Sequence, residues 1–212
     1  MPVEKISKPV LKRLPIYLSY LKSLTAEDSP YISATALAAA LDMGEVQVRK
    51  DLAMVSDGGR PKIGYNRETL ISDLEEFLGY NNTNEAVLVG AGKLGRALLG
   101  YTGFAEYGLN IVAAFDNNPS LTEHAENGKP ILPLEQLPQI CSRQHILMGI
   151  ITVPASHAQQ VCDLMIANGI QAIWNFAPVH LDVPSHILVQ YEDMATSFAV
   201  LSKHLSSHIN RR

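Results

Sequence analysis

The sequence predicts an α/β fold in which a helical amino-terminal segment is followed by alternating strands and helices. Apolar residues recur at helical spacing before about residue 80, and buried strands alternate with amphipathic helices after it. The polar, turn-prone stretch from Gly79 to Asn84 separates the two patterns. We therefore expect three parts, which cover residues 1–80, 84–191 and 192–212.

The composition is that of a globular protein. Of the 212 residues, 47% are hydrophobic and 18% are charged, so the chain can bury a core. No apolar run reaches the ~18 residues that span a bilayer, and no apolar segment of a secretory signal follows the amino-terminal charges. We expect a cytoplasmic protein without a membrane partner, in which Cys141 and Cys162 are buried free thiols.

Helical periodicity predicts a helix-turn-helix in the first part. A helix is expected over residues 7–24, in which Pro15 favours a kink, and a second over 34–41 that Ser33 can cap. Further helices are expected over 45–55 and 68–78. A tight turn that contains glycine joins the second and third helices, which is typical of the helix-turn-helix motif.

A glycine-rich segment, residues 57–65, predicts a hairpin wing after the third helix. Net charge is −4, but residues 1–67 hold ten Lys and Arg against seven Asp and Glu. Gln47 and Arg49 of the third helix can read base edges, and Lys50 and the wing cations suit phosphates or the minor groove. The candidate DNA-binding residues are Gln47, Arg49, Lys50, Arg60 and Lys62. A solvated helical face is the alternative, and the cap, turn and wing together favour DNA.

In the second part, strand and helix patterns alternate, which predicts a Rossmann-type parallel sheet. Strands are expected over 85–89, 111–115, 146–153, 173–176 and 187–190, and helices over 93–101, 155–167 and 194–208.

The strongest motif is a GxGxxG string that directly follows a predicted strand and opens a helix, and Asp116 ends the next strand. Its six residues are Gly90, Ala91, Gly92, Lys93, Leu94 and Gly95. The glycines would allow a tight turn and close approach of a pyrophosphate to the helix start, and Asp116 would accept hydrogen bonds from the adenosine ribose. Since that carboxylate repels a 2′-phosphate, NAD(H) is favoured over NADP(H). A strand–helix unit whose glycines serve only packing is the alternative.

Two further segments follow strands of the predicted sheet, where open parallel sheets bind ligands. They are Thr152, Val153 and Pro154, and Asn175, Phe176 and Ala177. Either they line the nicotinamide side or they are ordinary turns stiffened by proline. The seven histidines show no metal-ligand spacing, and we find neither a placed acid or base nor a substrate domain, so we expect no metal and no catalytic residue.

The combination of a winged helix and this nucleotide motif resembles the bacterial redox-sensing repressor family Rex. The similarity covers nearly the whole chain. The matching strings include Val46–Leu52, Gly64–Tyr65, Val89–Leu98, Tyr101–Phe104, Phe115–Asp116, Thr152–Ala155, Asn175–Val179 and Asp193–Ala195.

The resemblance implies a homodimer with an exchanged carboxy-terminal helix that binds operator DNA with NAD⁺ and is released when NADH replaces it. Such a repressor would control fermentation and respiration genes. The resemblance places Tyr101 near the nicotinamide and Asp193 in a polar switch at the dimer interface. The exposed apolar face expected for the last helix agrees with a second subunit, and packing onto its own domain is the alternative.

This chain departs from the family pattern at three places. Ser19 stands where many relatives have an arginine that pairs with the acid matching Asp193, and Arg13 is a candidate to take its place. Pro61 replaces the usual glycine-bearing wing tip, and Ala53–Met54 replace a segment that contains an aromatic residue. Two other functions stay open: a small NAD-dependent oxidoreductase with an accessory helical domain, and a non-catalytic NAD-binding interaction module.

Overall fold

The computed structural model describes residues 6–25, 27–82, 84–121 and 127–209. The chain divides into two compact units, Met1–Asn82 and Thr83–Arg212. No helix within the described ranges is both long and apolar enough to cross a membrane.

The first unit consists of four helices and a small antiparallel sheet. The helices are α1 (Lys8–Ser23), α2 (Ala34–Ala40), α3 (Glu45–Ala53) and α4 (Arg67–Leu78), and the strands are β1 (Tyr31–Ile32) and β2 (Tyr65–Asn66). Helix α1 stays one continuous helix through Pro15. Its buried residues Leu14, Tyr17 and Leu21 share a core with α2, α3 and α4.

The predicted helix-turn-helix is present as α2 and α3. The Ser33 hydroxyl accepts a hydrogen bond from the Ala36 N–H at 3.0 Å, as expected of a cap. The expectation that α3 continues to residue 55 was wrong, because the helix ends at Ala53 and Met54 and Val55 close turns onto Asp51 and Leu52.

The second unit contains a six-stranded sheet in the order β5-β4-β3-β6-β7-β8, and every neighbouring pair is parallel. The strands are β3 (Asn84–Val89), β4 (Leu109–Asp116), β5 (Ile131–Pro133), β6 (Met148–Ile151), β7 (Ala172–Asn175) and β8 (Leu188–Tyr191). The helices are α5 (Lys93–Gly100), α6 (Leu137–Gln144), α7 (Ala155–Ala167) and α8 (Met194–Ile209). The predicted parallel sheet is confirmed.

The sequence analysis missed β5 and α6 and made β6 too long. Strand β5 has only three residues and ends at Pro133, so it carries no periodic signal. Strand β6 covers 148–151 rather than 146–153, since Ile146 follows His145, whose φ of +51° ends α6, and Thr152 already leaves the sheet.

Apolar side chains pack on both faces of the sheet. Leu137 and Cys141 of α6 and Val161 and Cys162 of α7 belong to one cluster, and Leu99 of α5 belongs to another. Both cysteines are buried free thiols, as predicted, and burial raises the pKa of Cys162 to about 11.

Helix α8 presents its apolar side chains to solvent within this chain. Phe198 is 70% exposed and Leu201 is 64% exposed, and Leu205 and Ile209 are exposed as well. The alternative that α8 packs its apolar face onto its own domain is therefore wrong for the chain as described.

Candidate functional site

The turn between β3 and α5 brings backbone atoms closer together than a side chain would allow. Gly90 has a φ of +104°, and a Cβ atom there would lie 2.8 Å from the carbonyl carbon of Thr152. A Cβ atom at Gly95 would lie 1.9 Å from the carbonyl oxygen of Gly90. Both positions therefore require glycine, and the first turn of α5 packs directly on the ends of β3 and β6.

Gly92 differs from these two glycines because it borders open space. Among the described residues other than its two chain neighbours, no atom lies within 4 Å of the position that its Cβ would take. It precedes Lys93, the first residue of α5, and has no side chain that could cap the helix. A helix start carries unpaired N–H groups and a partial positive charge, so this open corner fits an anion such as a phosphate.

The carboxylate of Asp116 holds the glycine-rich turn to the end of β4. Its Oδ2 accepts a hydrogen bond from the Ala91 N–H at 2.7 Å, and its Oδ1 accepts one from the Asn118 N–H at 2.8 Å. Since a carboxylate has about four acceptor positions, Asp116 can still accept hydrogen bonds from a ligand.

Thr152 links the end of β6 to the same turn. Its hydroxyl donates to the Gly90 carbonyl at 2.7 Å, and its N–H donates to the Val89 carbonyl at 2.9 Å. The hydrogen bonds of Asp116 and Thr152 thereby hold the carboxyl ends of β3, β4 and β6 to the same turn. After β3 the chain adds β4 and β5 on one side and β6, β7 and β8 on the other, so this turn lies where the strand order reverses, a usual ligand site in such sheets.

A cleft of about 690 Å³ opens at this point. Six predicted site residues line it: Gly90, Gly92, Asp116, Thr152, Val153 and Pro154. Ala91 lies in the turn itself, and Lys93, Leu94 and Gly95 form the first turn of α5.

The other wall of the cleft comes from helix α7, which the sequence analysis did not assign to the site. The lining residues that it missed are six on α7, namely His157, Gln160, Val161, Asp163, Leu164 and Ala167, and three on other elements, namely Val89, Asn117 and Leu134. Positions 157, 160, 164 and 167 recur at helical spacing, and α7 begins directly after Pro154. That spacing is the signal by which this wall could have been found.

Tyr101 and Phe176 do not line this cleft but belong to a chain of four aromatic rings. Ring centroids are 4.9 Å apart between Tyr101 and Phe104, 5.7 Å between Phe104 and Trp174, and 4.8 Å between Trp174 and Phe176. Tyr101, Phe104 and Trp174 also line a separate cavity of about 410 Å³. The two predicted residues are thus connected by packed aromatic rings.

Asn175 organises the loop after β7. Its Nδ2 donates to the carbonyls of Ala177 and Val179 at 3.1 and 3.0 Å, and its Oδ1 accepts from the Ala177 N–H at 3.0 Å. Asn175 and Ala177 are both buried and do not line the cleft of about 690 Å³. For these two residues the geometry favours the turn that the sequence analysis kept as an alternative.

The five candidate DNA-binding residues all lie exposed in the first unit. Gln47 and Lys50 are on α3, and Arg49 on the same helix pairs with Glu45 one turn away. Arg60 and Lys62 lie in the wing.

The wing is shorter than expected. Arg60 and Gly64 exchange two backbone hydrogen bonds of 2.9 Å, so the hairpin covers 60–64 rather than 57–65, and Tyr65 pairs with β1 instead. The Arg60 carbonyl accepts from the Ile63 N–H at 3.2 Å around Pro61 and Lys62. Lys62 has a φ of +67°, a left-handed conformation that strains any residue with a Cβ atom.

Arg13 forms an ion pair inside the first unit. Its Nε and Nη2 donate to the Oδ2 and Oδ1 of Asp51 at 2.7 and 2.9 Å, and the Tyr17 hydroxyl donates to Oδ2 at 2.8 Å. The Asp51 side chain is only 4% exposed, and burial together with this carboxylate raises the pKa of Tyr17 to about 12. Within the chain, Arg13 is therefore committed to Asp51, so it does not stand in for the arginine that Ser19 replaces.

Asp193 caps helix α8. Its Oδ1 accepts from the N–H groups of Ala195 and Thr196 at 2.9 and 3.1 Å, and hydrogen bonds from Thr196 lower the pKa of the Asp193 carboxyl. In the described ranges, which leave out His124, no group of three or more His, Cys, Asp or Glu side chains could hold a metal ion.

Both units of the chain are similar to known proteins. Residues 5–53 match a family model described as "Putative DNA-binding protein N-terminus", and residues 81–179 match one described as "CoA binding domain". A protein of Bacteroides fragilis named "Redox-sensing transcriptional repressor Rex" is 40% identical, with 95% of this chain and 92% of that protein aligned. The relative of the same name from Treponema denticola is 39% identical, over 91% and 92%. The chain belongs to the Rex family of redox-sensing transcriptional repressors.

Solved structures of another Rex-family repressor, RSP, match the whole fold. RSP in complex with β-NAD⁺ and operator DNA has a TM-score of 0.89 at 32% identity, with 97% of this chain and 94% of that chain covered. RSP in complex with β-NADH has a TM-score of 0.87 at 32% identity and covers 97% and 96%. The predicted Rex resemblance is confirmed, and so is the predicted fold class, an amino-terminal DNA-binding domain followed by a Rossmann-type domain with a parallel sheet.

We predict that Gly95→Ala destabilises the second unit by about 3 kcal/mol or more, because its methyl group would overlap the Gly90 carbonyl. Gly92→Ala is the matched control and should stay within about 1 kcal/mol of the unmodified protein. Trp174, the single tryptophan, lies in this unit, so its fluorescence during urea unfolding measures both effects. Equal losses in the two variants would contradict the assignment of the crowded and open positions.

We also predict that Lys62→Gly stabilises the first unit by about 0.5–1 kcal/mol, since relief of the left-handed strain exceeds the entropy that glycine adds to the unfolded chain. Far-UV circular dichroism during urea unfolding measures the gain. Lys62→Ala retains a Cβ atom and removes the same charge, so it should show no gain. A Lys62→Gly protein no more stable than Lys62→Ala would show that Lys62 is unstrained.

Proposed function

We propose that this chain binds operator DNA through its first unit and NAD(H) through its second, and that NADH weakens DNA binding relative to NAD⁺. The observation that carries the proposal is the open corner at Gly92, at the start of α5 and beside Asp116. The RSP complexes with β-NAD⁺, β-NADH and operator DNA support it. The relatives are transcriptional repressors, which speaks against the oxidoreductase alternative.

The residues of the cleft suit a dinucleotide. The pyrophosphate would lie at the first turn of α5, where Gly92 leaves room, and Asp116 would accept hydrogen bonds from the adenosine ribose. Val161 and Leu164 of α7 give the cleft an apolar wall that suits the adenine base. The negative charge of Asp116 disfavours a 2′-phosphate, so NAD(H) is preferred over NADP(H).

The redox signal would be read at the nicotinamide end. When bound, the cofactor supplies a ring that is positively charged in NAD⁺ and neutral in NADH. Pro154, Phe176 and Tyr101 are the candidates to surround it. Burial of the ring among such apolar side chains favours the neutral form, because removing a charge from water is costly. Asn175 would act by shaping the loop that carries Phe176.

DNA contact would involve α3 and the wing. Gln47, Arg49 and Lys50 are exposed on the second helix of the helix-turn-helix, which enters the major groove in proteins of this type. Arg60 and Lys62 would contact phosphates or the minor groove. In this proposal residues 1–80 bind DNA, residues 84–191 bind NAD(H) and residues 192–212 form the dimer. The protein acts in the cytoplasm and needs no metal ion.

We propose a homodimer in which α8 exchanges between subunits. The apolar side chains of α8, which include Phe198 and Leu201, are exposed in the single chain, and covering them by a partner would release water from apolar surface. Asp193 begins this helix and is the proposed interface switch. Because Arg13 pairs with Asp51, the partner of Asp193 in such a switch would be a different group.

The proposal is tested by DNA binding in the two redox states. A duplex selected by the full chain from a random library in the presence of NAD⁺ serves as the probe, and fluorescence anisotropy measures affinity. We expect NADH to weaken binding at least about tenfold, which corresponds to about 1.4 kcal/mol of differential affinity. Gly92→Ala should bind the duplex equally with either nucleotide, because its methyl group blocks the phosphate corner. Equal affinity of the unmodified chain in NAD⁺ and NADH would refute the proposal.

The dimer is tested in the full chain with two charges on α8. Phe198→Glu with Leu201→Glu should convert the dimer into a monomer in light scattering, since both side chains would face the partner. Ser207→Glu is the control, because Ser207 lies about two and a half turns after Phe198 and therefore on the opposite face of the same helix. A dimer that persists in the double variant would contradict the exchange.

A further inference from the structure

Helix α3 carries a valine in the middle of its exposed face. The buried residues of this helix are Val48, Asp51 and Leu52, which define the side that packs on the rest of the first unit. Successive residues of an α-helix are about 100° apart around its axis, so Val46 lies nearly opposite the centre of that buried side. The side chain of Val46 is 65% exposed, and no other large apolar side chain described in the first unit is as exposed.

Packing within the first unit does not account for this valine. Val46 does not belong to the apolar cluster that the four helices share. A β-branched side chain also loses rotamer freedom in a helix, so alanine or a long polar side chain would favour the helix more at an exposed position. Contact with another molecule is a role that both the position and the residue type fit.

Polar side chains surround Val46 on the exposed face. Lys50 follows one turn later in the same row, and Gln47 and Arg49 lie on either side of that row. In a helix-turn-helix, the amino-terminal residues of the second helix contact base edges, and Val46 is the second residue of α3. The helix would therefore bring an apolar group to the base edges together with donors and a cation.

The two acids of α3 are each paired with an arginine. Glu45 pairs with Arg49 on the same helix, and the buried Asp51 pairs with Arg13 of α1. Their negative charges are thus balanced within the unit, and Lys50 adds a positive charge to the exposed face. This charge pattern allows the face to approach a polyanion such as DNA.

Thymine is the base that presents an apolar group in the major groove, its C5-methyl. The other bases present ring nitrogens, carbonyl oxygens or amino groups there, and cytosine has only a hydrogen at C5. A valine pressed against those polar atoms would remove them from water without a hydrogen bond, which is unfavourable. Against a methyl group it removes apolar surface from water, which is favourable.

We propose that Val46 is a specificity-determining residue that selects a thymine in the operator by contact with its C5-methyl group. The inference rests on the proposed function, since it requires α3 to enter the major groove. It adds an apolar contact to the polar residues of α3 and the wing that the sequence analysis assigned to DNA.

Deoxyuridine measures the contribution of single methyl groups, because it pairs with adenine as thymidine does but lacks the C5-methyl. The probe is the duplex selected by the full chain in the presence of NAD⁺, and its thymines are replaced one at a time. We expect at least one replacement to weaken binding about fourfold in fluorescence anisotropy, the factor for one apolar carbon removed from water. If every replacement changes affinity by less than about 1.5-fold, the inference is overturned. The proposed function is judged separately, by the effect of NADH on the unmodified duplex.

Two variants assign the methyl effect to a residue. Val46→Ala withdraws the side chain from the groove, so the thymine and deoxyuridine duplexes should be bound within about 1.5-fold of each other. Lys62→Ala is the control, because it removes a wing cation and should weaken binding to both duplexes equally, which keeps their ratio at about fourfold. Circular dichroism verifies folding, which Val46→Ala should preserve because the position is exposed and alanine favours helices.

The ratio of the two affinities decides between outcomes that a loss of stability cannot mimic, since both duplexes meet the same folded protein. A fourfold ratio that persists in Val46→Ala would overturn the inference, because the methyl group would then act through another residue or through the shape of the DNA. Loss of the ratio in Lys62→Ala would overturn it as well. A chain that selects no duplex at all would overturn the proposed function together with the inference.

Discussion

Close backbone approach at the β3–α5 turn is the constraint on which the second unit depends. With no Cβ atom at Gly90 or Gly95, α5 can start directly on the ends of β3 and β6. The hydrogen bond from Thr152 to the Gly90 carbonyl then fixes the neighbouring strand to the same point. Gly92 lies between these two crowded positions and meets no such contact among the described residues, so the open corner is at the start of α5.

The first unit depends on a different constraint, the burial of one charge. Asp51 lies within α3, and its carboxylate is satisfied by Arg13 and Tyr17 from α1. Removing one partner of such a buried pair typically costs about 3–5 kcal/mol. The exposed side chains of α3 are therefore presented from a helix whose position against α1 is fixed by hydrogen bonds as well as by apolar packing.

The sequence predicted those elements whose periodicity is long or whose glycines have a steric role. Helix α7 was predicted at its observed ends, and the GxGxxG turn was placed between the correct strand and helix. Strand β5 was not predicted, because three residues are too few to show a periodic pattern of apolar side chains. The α7 wall of the cleft and the bond between Arg13 and Asp51, 38 residues apart, are tertiary contacts that local pattern does not encode. The roles assigned to individual site residues stay predictions.

Two free energies, that of a redox-dependent change in affinity and that of breaking a buried ion pair, restrict how a redox signal could alter DNA binding. A hundredfold difference in affinity between two states corresponds to about 2.8 kcal/mol, and a ligand can shift an equilibrium only by that difference. Breaking the Arg13–Asp51 pair would cost about as much or more. Asp193 accepts hydrogen bonds from the first turn of α8, and it can accept more without giving them up. A switch of this size would therefore leave the Arg13–Asp51 pair, and with it the packing of the helix-turn-helix inside the first unit, unbroken.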